Sequence, residues 1–556
     1  MAAPRLWLLA SLALAHLASS AAGDDSADVC PAGGDCSVAG GKPRPSSKKY
    51  PWPHARGPSM GGGNSPHSFG EWPCDLKSKV AWSWTPPKGK YSNTGVQAPV
   101  IDDEMNLYVS IEDSIRKFSA DGNLLWTFEM PPGHWLRRNP SIADGLLLTS
   151  SSTGFAFALT MDAGHLVWNV SVTETNCVGM DFGFVIAHDG VFFSDAECSD
   201  PLVHKMNKVY ALNATDGSFL WDFRPEVGVW NFLPHFLDDG TVALQSWDGG
   251  VYHLRVKDGS LIWHHPGGGK DTWTDGGPVL GPGGLFYAVR SSAPQLQSTN
   301  GKPGFLDAYN LTDRSRMWSA ALEQTPYTYP AVGHLREGGP LSVVTGVGSL
   351  GFFPLQLFIG GGVFLGALVC GPAIFLIWTA CVCCCKSGND DKSGKQKAMG
   401  CCKRLCKRLC TAISVGIAVG LCGAGALTKW NFRHSVQAFN AVTGELLWRY
   451  DMPTWRWPCA AGDEAGFLPR TVAGHVPMCL PLASSYATLD AQGIFYMGHM
   501  DGRLYAIQDR NGDGHIEEES EVCTFDTGGS FSTQGPVLVP GLMAVGTCDS
   551  LFVFRK

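Results

Sequence analysis

The sequence predicts an all-β chain, an eight-bladed β-propeller with an inserted two-helix transmembrane hairpin. Three observations predict it: a unit ending in Gly, a short run and Trp that recurs along the chain; short alternating strands ahead of each copy; and two apolar runs that interrupt one copy. A composition of 44% hydrophobic and 17% charged residues, with 68 Gly and 19 Trp in 556 residues, fits a turn-rich β protein.

In chain order, residues 1–23 carry Arg5, an apolar run over 6–18 and small residues over 19–23, the layout of a cleaved signal peptide. The run is shorter than the ~20 residues that a membrane span requires. Residues 24–78 are rich in Gly, Pro and Ser, too poor in apolar surface to offset the entropy of ordering, and predict a flexible leader.

The repeat runs from Asp121-Gly122 to Trp126, Ala163-Gly164 to Trp168, Asp216-Gly217 to Trp221, Asp258-Gly259 to Trp263 and Thr443-Gly444 to Trp448, with a glycine-free copy from Asp313-Arg314 to Trp318. The first five Trp positions in chain order differ by 42, 53, 42 and 55 residues, the spacing of four-stranded blades. Ahead of the turn lies a strand with an inward Ala, as in Val209-Tyr210-Ala211-Leu212, Val436-Gln437-Ala438-Phe439 and Leu504-Tyr505-Ala506-Ile507. Glycine permits the positive φ of a tight hairpin, and the indole then covers the seam between adjacent blades. Trp126, Trp168, Trp221, Trp263, Trp318 and Trp448 are therefore the expected blade-docking residues, with a structural purpose.

This pattern of Ala, turn, Gly and Trp resembles the quinoprotein-type propeller, the pyrroloquinoline quinone repeat family, over 79–330 and 434–556. The resemblance implies eight blades. Six units end in Trp, a seventh ends near Cys523-Thr524-Phe525, and an eighth begins at Gly535-Pro536-Val537-Leu538 and lacks its last strand. Val80-Ala81-Trp82-Ser83-Trp84 supplies that strand and removes the exposed sheet edges.

Residues 331–433 form the insertion. No charged residue occurs from Gly338 to Cys385, and the apolar runs 355–380 and 411–427 predict transmembrane helices. Small residues four apart, Gly362 with Gly366 and Gly416 with Gly420, allow close helix approach. The loop 381–410 between them holds eight Lys or Arg against two Asp, which places it in the cytosol and the propeller in the lumen or outside the cell. The expected location is a membrane of the secretory pathway or the cell surface. Sequons at Asn169, Asn213 and Asn310 fall on the lumenal side as glycosylation candidates. The whole chain carries −8, and the rest is more acidic than the basic loop, which argues against nucleic acid as a partner.

Cysteines divide by compartment. Cys381, Cys383, Cys384, Cys385, Cys401, Cys402, Cys406 and Cys410 lie in the loop; the last three share one helical face, suited to S-acylation, while Lys403, Arg404, Lys407 and Arg408 suit anionic lipid. Membrane lipids are thus one expected partner, through hairpin and loop. On the lumenal side Cys177 with Cys198, Cys459 with Cys479 and Cys523 with Cys548 are candidate staples, their connectivity left open by sequence.

Asp509, Asn511, Asp513, the His515 carbonyl and Glu517 occupy alternate positions around Gly514, a calcium-loop spacing whose twelfth position is Ser520 where an EF-hand has Glu. The resemblance implies pyrroloquinoline quinone held at the propeller centre with calcium, an Asp base and a disulfide between neighbouring cysteines. Neighbouring cysteines occur here only at Cys383-Cys384-Cys385 and Cys401-Cys402, in the loop. The reading favoured by the residues is a membrane-anchored scaffold that binds a protein partner on its propeller; the alternatives are a quinone-dependent alcohol or sugar dehydrogenase and a calcium-dependent adhesion or receptor module.

Overall fold

Each repeat closes as four antiparallel strands because its runs are short, alternate in polarity and are separated by turns with φ > 0, such as Gly164 at +69° and Gly217 at +73°. The computed structural model describes residues 50–57, 62–72, 74–93, 95–173, 183–198, 206–274, 276–294, 302–349, 431–457, 459–475, 478–479, 484–531 and 535–556. The signal peptide 1–23, residues 24–49, and the expected hairpin with its acylation cysteines lie outside them. Among the described residues no helix is long and apolar enough to cross a membrane. The chain divides into two compact units, and Asp24–Leu350, Phe432–Trp455 and Cys459–Lys556 make the one described below. The other, Met1–Gly23, Gly351–Asn431 and Arg456–Pro458, lies almost wholly outside the described residues.

Eight four-stranded sheets follow one another, over 100–129, 141–171, 186–223, 235–265, 279–322, 331–451, 488–526 and 537–555. The strand Val80–Trp84 completes the eighth by pairing with Leu551–Arg555, Val80 opposite Phe554 and Trp84 opposite Leu551, so the ring is closed by both ends of the propeller sequence. In the sixth blade Leu341–Gly348 pairs with His434–Asn440, and Gly348 stands opposite His434. The chain therefore leaves blade six after residue 349 and re-enters it at residue 433, between the blade's second and third strands.

Within a blade the inward Ala faces the Trp of the last strand: Ala158 opposite Trp168, Ala211 opposite Trp221, Ala308 opposite Trp318, Ala438 opposite Trp448. A bulge follows each Ala, which turns the indole toward the neighbouring blade. There the ring lies on the next repeat's turn glycine, Trp126 on Gly164, Trp168 on Gly217, Trp221 on Gly259 and Trp318 on Gly444. Indole N–H groups of Trp126, Trp168, Trp221 and Trp318 donate to the carbonyls of Met161, Ala214, Val256 and Ala441. Trp82 closes the circle on Gly122 and donates to Ala120 at 2.8 Å. Trp263 meets a turn without glycine and packs edge-on against Tyr309; Trp448 is buried in a cluster with Ala438, Tyr505 and Ile507.

The leader departs from expectation. Trp52, Ala55, Arg56 and Phe69 are buried, and 50–57 and 62–72 are bound to the inner strands, because scattered aromatic residues in a Gly- and Pro-rich stretch find a ready-made hydrophobic seat.

Candidate functional site

The propeller axis is where that leader runs. Trp52 bridges Ile101, Pro53 accepts from Ile142 N, Gly62 accepts from Val332 N, Gly63 accepts from Leu489 N, and Ser65 N donates to Leu489 O while its hydroxyl donates to Leu538 O. The segment is thus pinned to the inner strands of blades one, two, six, seven and eight. Between those anchors stand His54 and Arg56. Arg56 donates to the carbonyls of Ala487 at 2.7 Å and of Pro330, and its guanidinium lies over the rings of Tyr486 at 4.9 Å and Tyr329 at 5.7 Å. Burial pulls its pKa down to about 10, so it stays charged at neutral pH. Phe184, Tyr329 and Tyr486 precede blades three, six and seven and meet one another at 5.3, 5.9 and 6.0 Å, with Tyr329 donating to Asn231 O. His54 is buried, and burial first, then the electrostatic effect of His235, His188 and Arg56, lowers its pKa to about 3.

A rim of charged pairs marks the turns that join second and third strands. Glu112 contacts Arg137 at 3.5 Å and His475 at 2.7 Å, Arg138 pairs with Asp195, Arg290 with Asp307 at 2.6 Å, and Ser246 donates to Asp248 at 2.6 Å. In blade seven His499 contacts Asp501 at 3.1 Å and Tyr505 donates to Asp501 at 2.6 Å. Burial pushes the Asp501 carboxyl up, but His499 and Tyr505 outweigh it and hold it below the usual carboxylate range. Beside them His434, at the root of the excursion, is lowered well below its ordinary value by burial and by His499, whose ring is 4.7 Å away. Arg138, Asp195 and Tyr210 line a small cleft. The charges named here face one another.

The loop 509–517 satisfies itself. Asp509 accepts from the N–H groups of Gly512 and Gly514, Asn511 from that of Asp513, and Asp513 from that of His515, at 2.8–3.2 Å. Ser520 donates to Glu517. Glu521, 2% exposed, accepts from the backbone of Arg510, Asn511 and Glu517 and latches the loop. Among the described residues no three His, Cys, Asp or Glu side chains converge to hold a metal.

The family described as outer membrane protein assembly factor BamB matches residues 78–194 and 189–337. Over those residues, somewhat under half of its length, the chain matches the quinoprotein-repeat family, and the eight-bladed propeller agrees with that match. Over 146 residues it is 26% identical to tetrathionate hydrolase of Acidithiobacillus ferrooxidans, covering 24% of this chain and 29% of that protein, so it spans under a third of that relative. Among solved structures, quinohemoprotein alcohol dehydrogenase ADHIIG from Pseudomonas putida HK5 has a TM-score of 0.55 at 11% identity, over 91% of this chain and 80% of its own. BamB from Moraxella catarrhalis has 0.50 at 12%, over 86% and 99%, and a europium-containing methanol dehydrogenase 0.51 at 9%, over 86% and 93%. At such identities the likeness is one of fold.

Against the expectation for a quinoprotein-repeat propeller, pyrroloquinoline quinone does not fit this axis: Arg56, Phe184, Tyr329 and Tyr486 fill it among the described residues. Sequence reasoning missed Arg56 and His54 because the leader's composition reads as unstructured; Trp52 and Phe69 were the available signal. The staples also differ. Cys479 bonds Cys548 and Cys74 bonds Cys523, with Cα separations of 5.8 and 5.9 Å, while Cys459 is a buried free thiol pushed up to about 12 by burial, Asp463 and Glu464. Pairing by nearness in sequence failed because these loops meet residues of other blades. Cys177 and the Cys198 side chain lie outside the description. Asn213 and Asn310 end third strands on the docking-turn rim, each accepting from the N–H of its sequon Thr at 2.9 Å, whereas Asn169 sits within the strand Leu166–Ser171.

Proposed function

We propose that the chain is a membrane-anchored propeller, lumenal or extracellular, that acts as a protein-binding or sensing scaffold. The observation that carries this reading is the filled axis: with Arg56 and three aromatic rings where a cofactor would lie, the faces of the propeller are left for binding. The anchor is the two-helix hairpin over 355–380 and 411–427, and its support outside the sequence is the pairing of Gly348 with Gly348's partner His434, since two crossings must return the chain to the side it left. The basic loop 381–410 and its cysteines would then meet anionic lipid and acyl chains at the cytosolic surface. The likeness to BamB, described as an assembly factor, favours a protein partner, and the acidic propeller disfavours nucleic acid.

Three measurements test the reading. Purified full chain titrated with pyrroloquinoline quinone, calcium and an alcohol is expected to give neither saturable binding nor dye reduction; both together would establish the dehydrogenase alternative. Protease protection of a tag placed beside Lys395 in sealed microsomes is expected to show that loop accessible from the cytosolic side, and a protected tag would remove the hairpin. Affinity capture of partners that vanishes with chelator would favour the calcium-dependent adhesion alternative.

A further inference from the structure

Between blades six and seven the chain makes an excursion whose centre is the helix α1, Asp463–Val472. It lies over the rim of turns joining second and third strands. Ala461 N donates to Met500 O in the turn of blade seven, Cys479 is bonded to Cys548 in that of blade eight, and His475 contacts Glu112 in that of blade one. The same rim in blade six carries Gly348 and His434, from which 349–433 departs.

The polarity of α1 is inverted. Its buried positions are Asp463, Gly466 and Arg470, where Arg470 donates to Asp463 at 2.7 Å across the space that Gly466 leaves open, and Asp463 also accepts from Cys479 N. Its outward positions include Leu468, 69% exposed, and Val472, 80% exposed, one turn apart. A surface helix of a water-facing protein normally buries such residues and exposes the charges. Glu464, the outward charge a turn earlier, accepts from the Cys459 thiol and is drawn toward the protein.

We infer that the Leu468–Val472 face of α1 docks into the headgroup boundary of the bilayer and sets the propeller rim-down on the membrane. The inference rests on the hairpin reading, because Gly348 and His434, between which the apolar runs are inserted, stand on this rim, and a hairpin there would bring the bilayer to it. Two side chains are too little apolar area to hold a protein on a membrane unaided. Tethered by a hairpin rooted on the same rim, they act at high local concentration and decide orientation.

The test reconstitutes the full chain in phosphatidylcholine nanodiscs doped with a phospholipid bearing an acyl-chain diazirine, and maps the photolabel by mass spectrometry. Label is expected on the peptides carrying Leu468 and Val472 as well as on 355–427, and L468E with V472E, at exposed positions, should cut the helix label about tenfold while sparing the hairpin label and the thermal midpoint. A labelled hairpin with an unlabelled helix overturns the docking face alone, as does helix label that survives both substitutions. Absence of label from both overturns the hairpin reading with it.

Discussion

A methyl group added at Gly164 would meet the Trp126 ring at 2.7 Å, on a backbone whose φ is +69°, whereas one added at Gly190, at +77°, meets nothing within 4 Å. The two sites separate backbone strain from loss of the docked indole. Gly190→Ala is expected to cost about 1 kcal/mol for the left-handed conformation, and Gly164→Ala about 2–4 kcal/mol because a close-packed ring must also move. Urea unfolding of the two variants checks the difference. Arg314, at φ +57°, shows that the glycine-free copy keeps the same turn. Five glycine–tryptophan copies were legible in sequence because both partners of the motif are local. Glu521 was not, since it stands one position beyond where the loop spacing places a ligand and is used for backbone N–H groups.

The strand Val80–Trp84 carries the closure of the whole ring on few contacts. Trp82 rests on Gly122, donates to Ala120 and lies 5.8 Å from Phe118, while Arg555 pairs with Asp121 across the same seam at 2.6 Å. Removing the indole takes away the side chain that rests on the first blade's turn, leaving Trp84 against Phe118 at 5.4 Å, and half-burial places the cost at about 2–3 kcal/mol. Trp82→Ala is therefore expected to lower the thermal midpoint and, by freeing the edge Leu551–Arg555, to promote association visible by size-exclusion chromatography. A variant with unchanged midpoint and elution would mean that the seam is held elsewhere. Strand order was readable because period-two alternation and turn glycines are written in each blade. The disulfides were not, for Cys74 reaches Cys523 from the far end of the chain, a meeting set by ring closure and not by spacing.

At the scale of the molecule, the leader makes the axis a packed core instead of a channel, and its stability must depend on acid. His54 is buried, and burial above all lowers its pKa from the ordinary 6.5 to about 3. The unfolded chain binds a proton near 6.5, the folded chain only near 3, so between those values unfolding takes up a proton. Stability from neutral His54 is complete above pH 6.5 and is lost as pH falls, by about 3 kcal/mol between pH 6.5 and 4. His434, lowered in the same direction, adds to the slope. Urea midpoints of the full chain measured from pH 7.5 to 4.5 should therefore fall steadily, and His54→Gln, which cannot charge, should flatten the fall by about one proton. An unaltered slope in that variant would place the acid sensitivity at other groups and would mean that the axial histidine is reached by water.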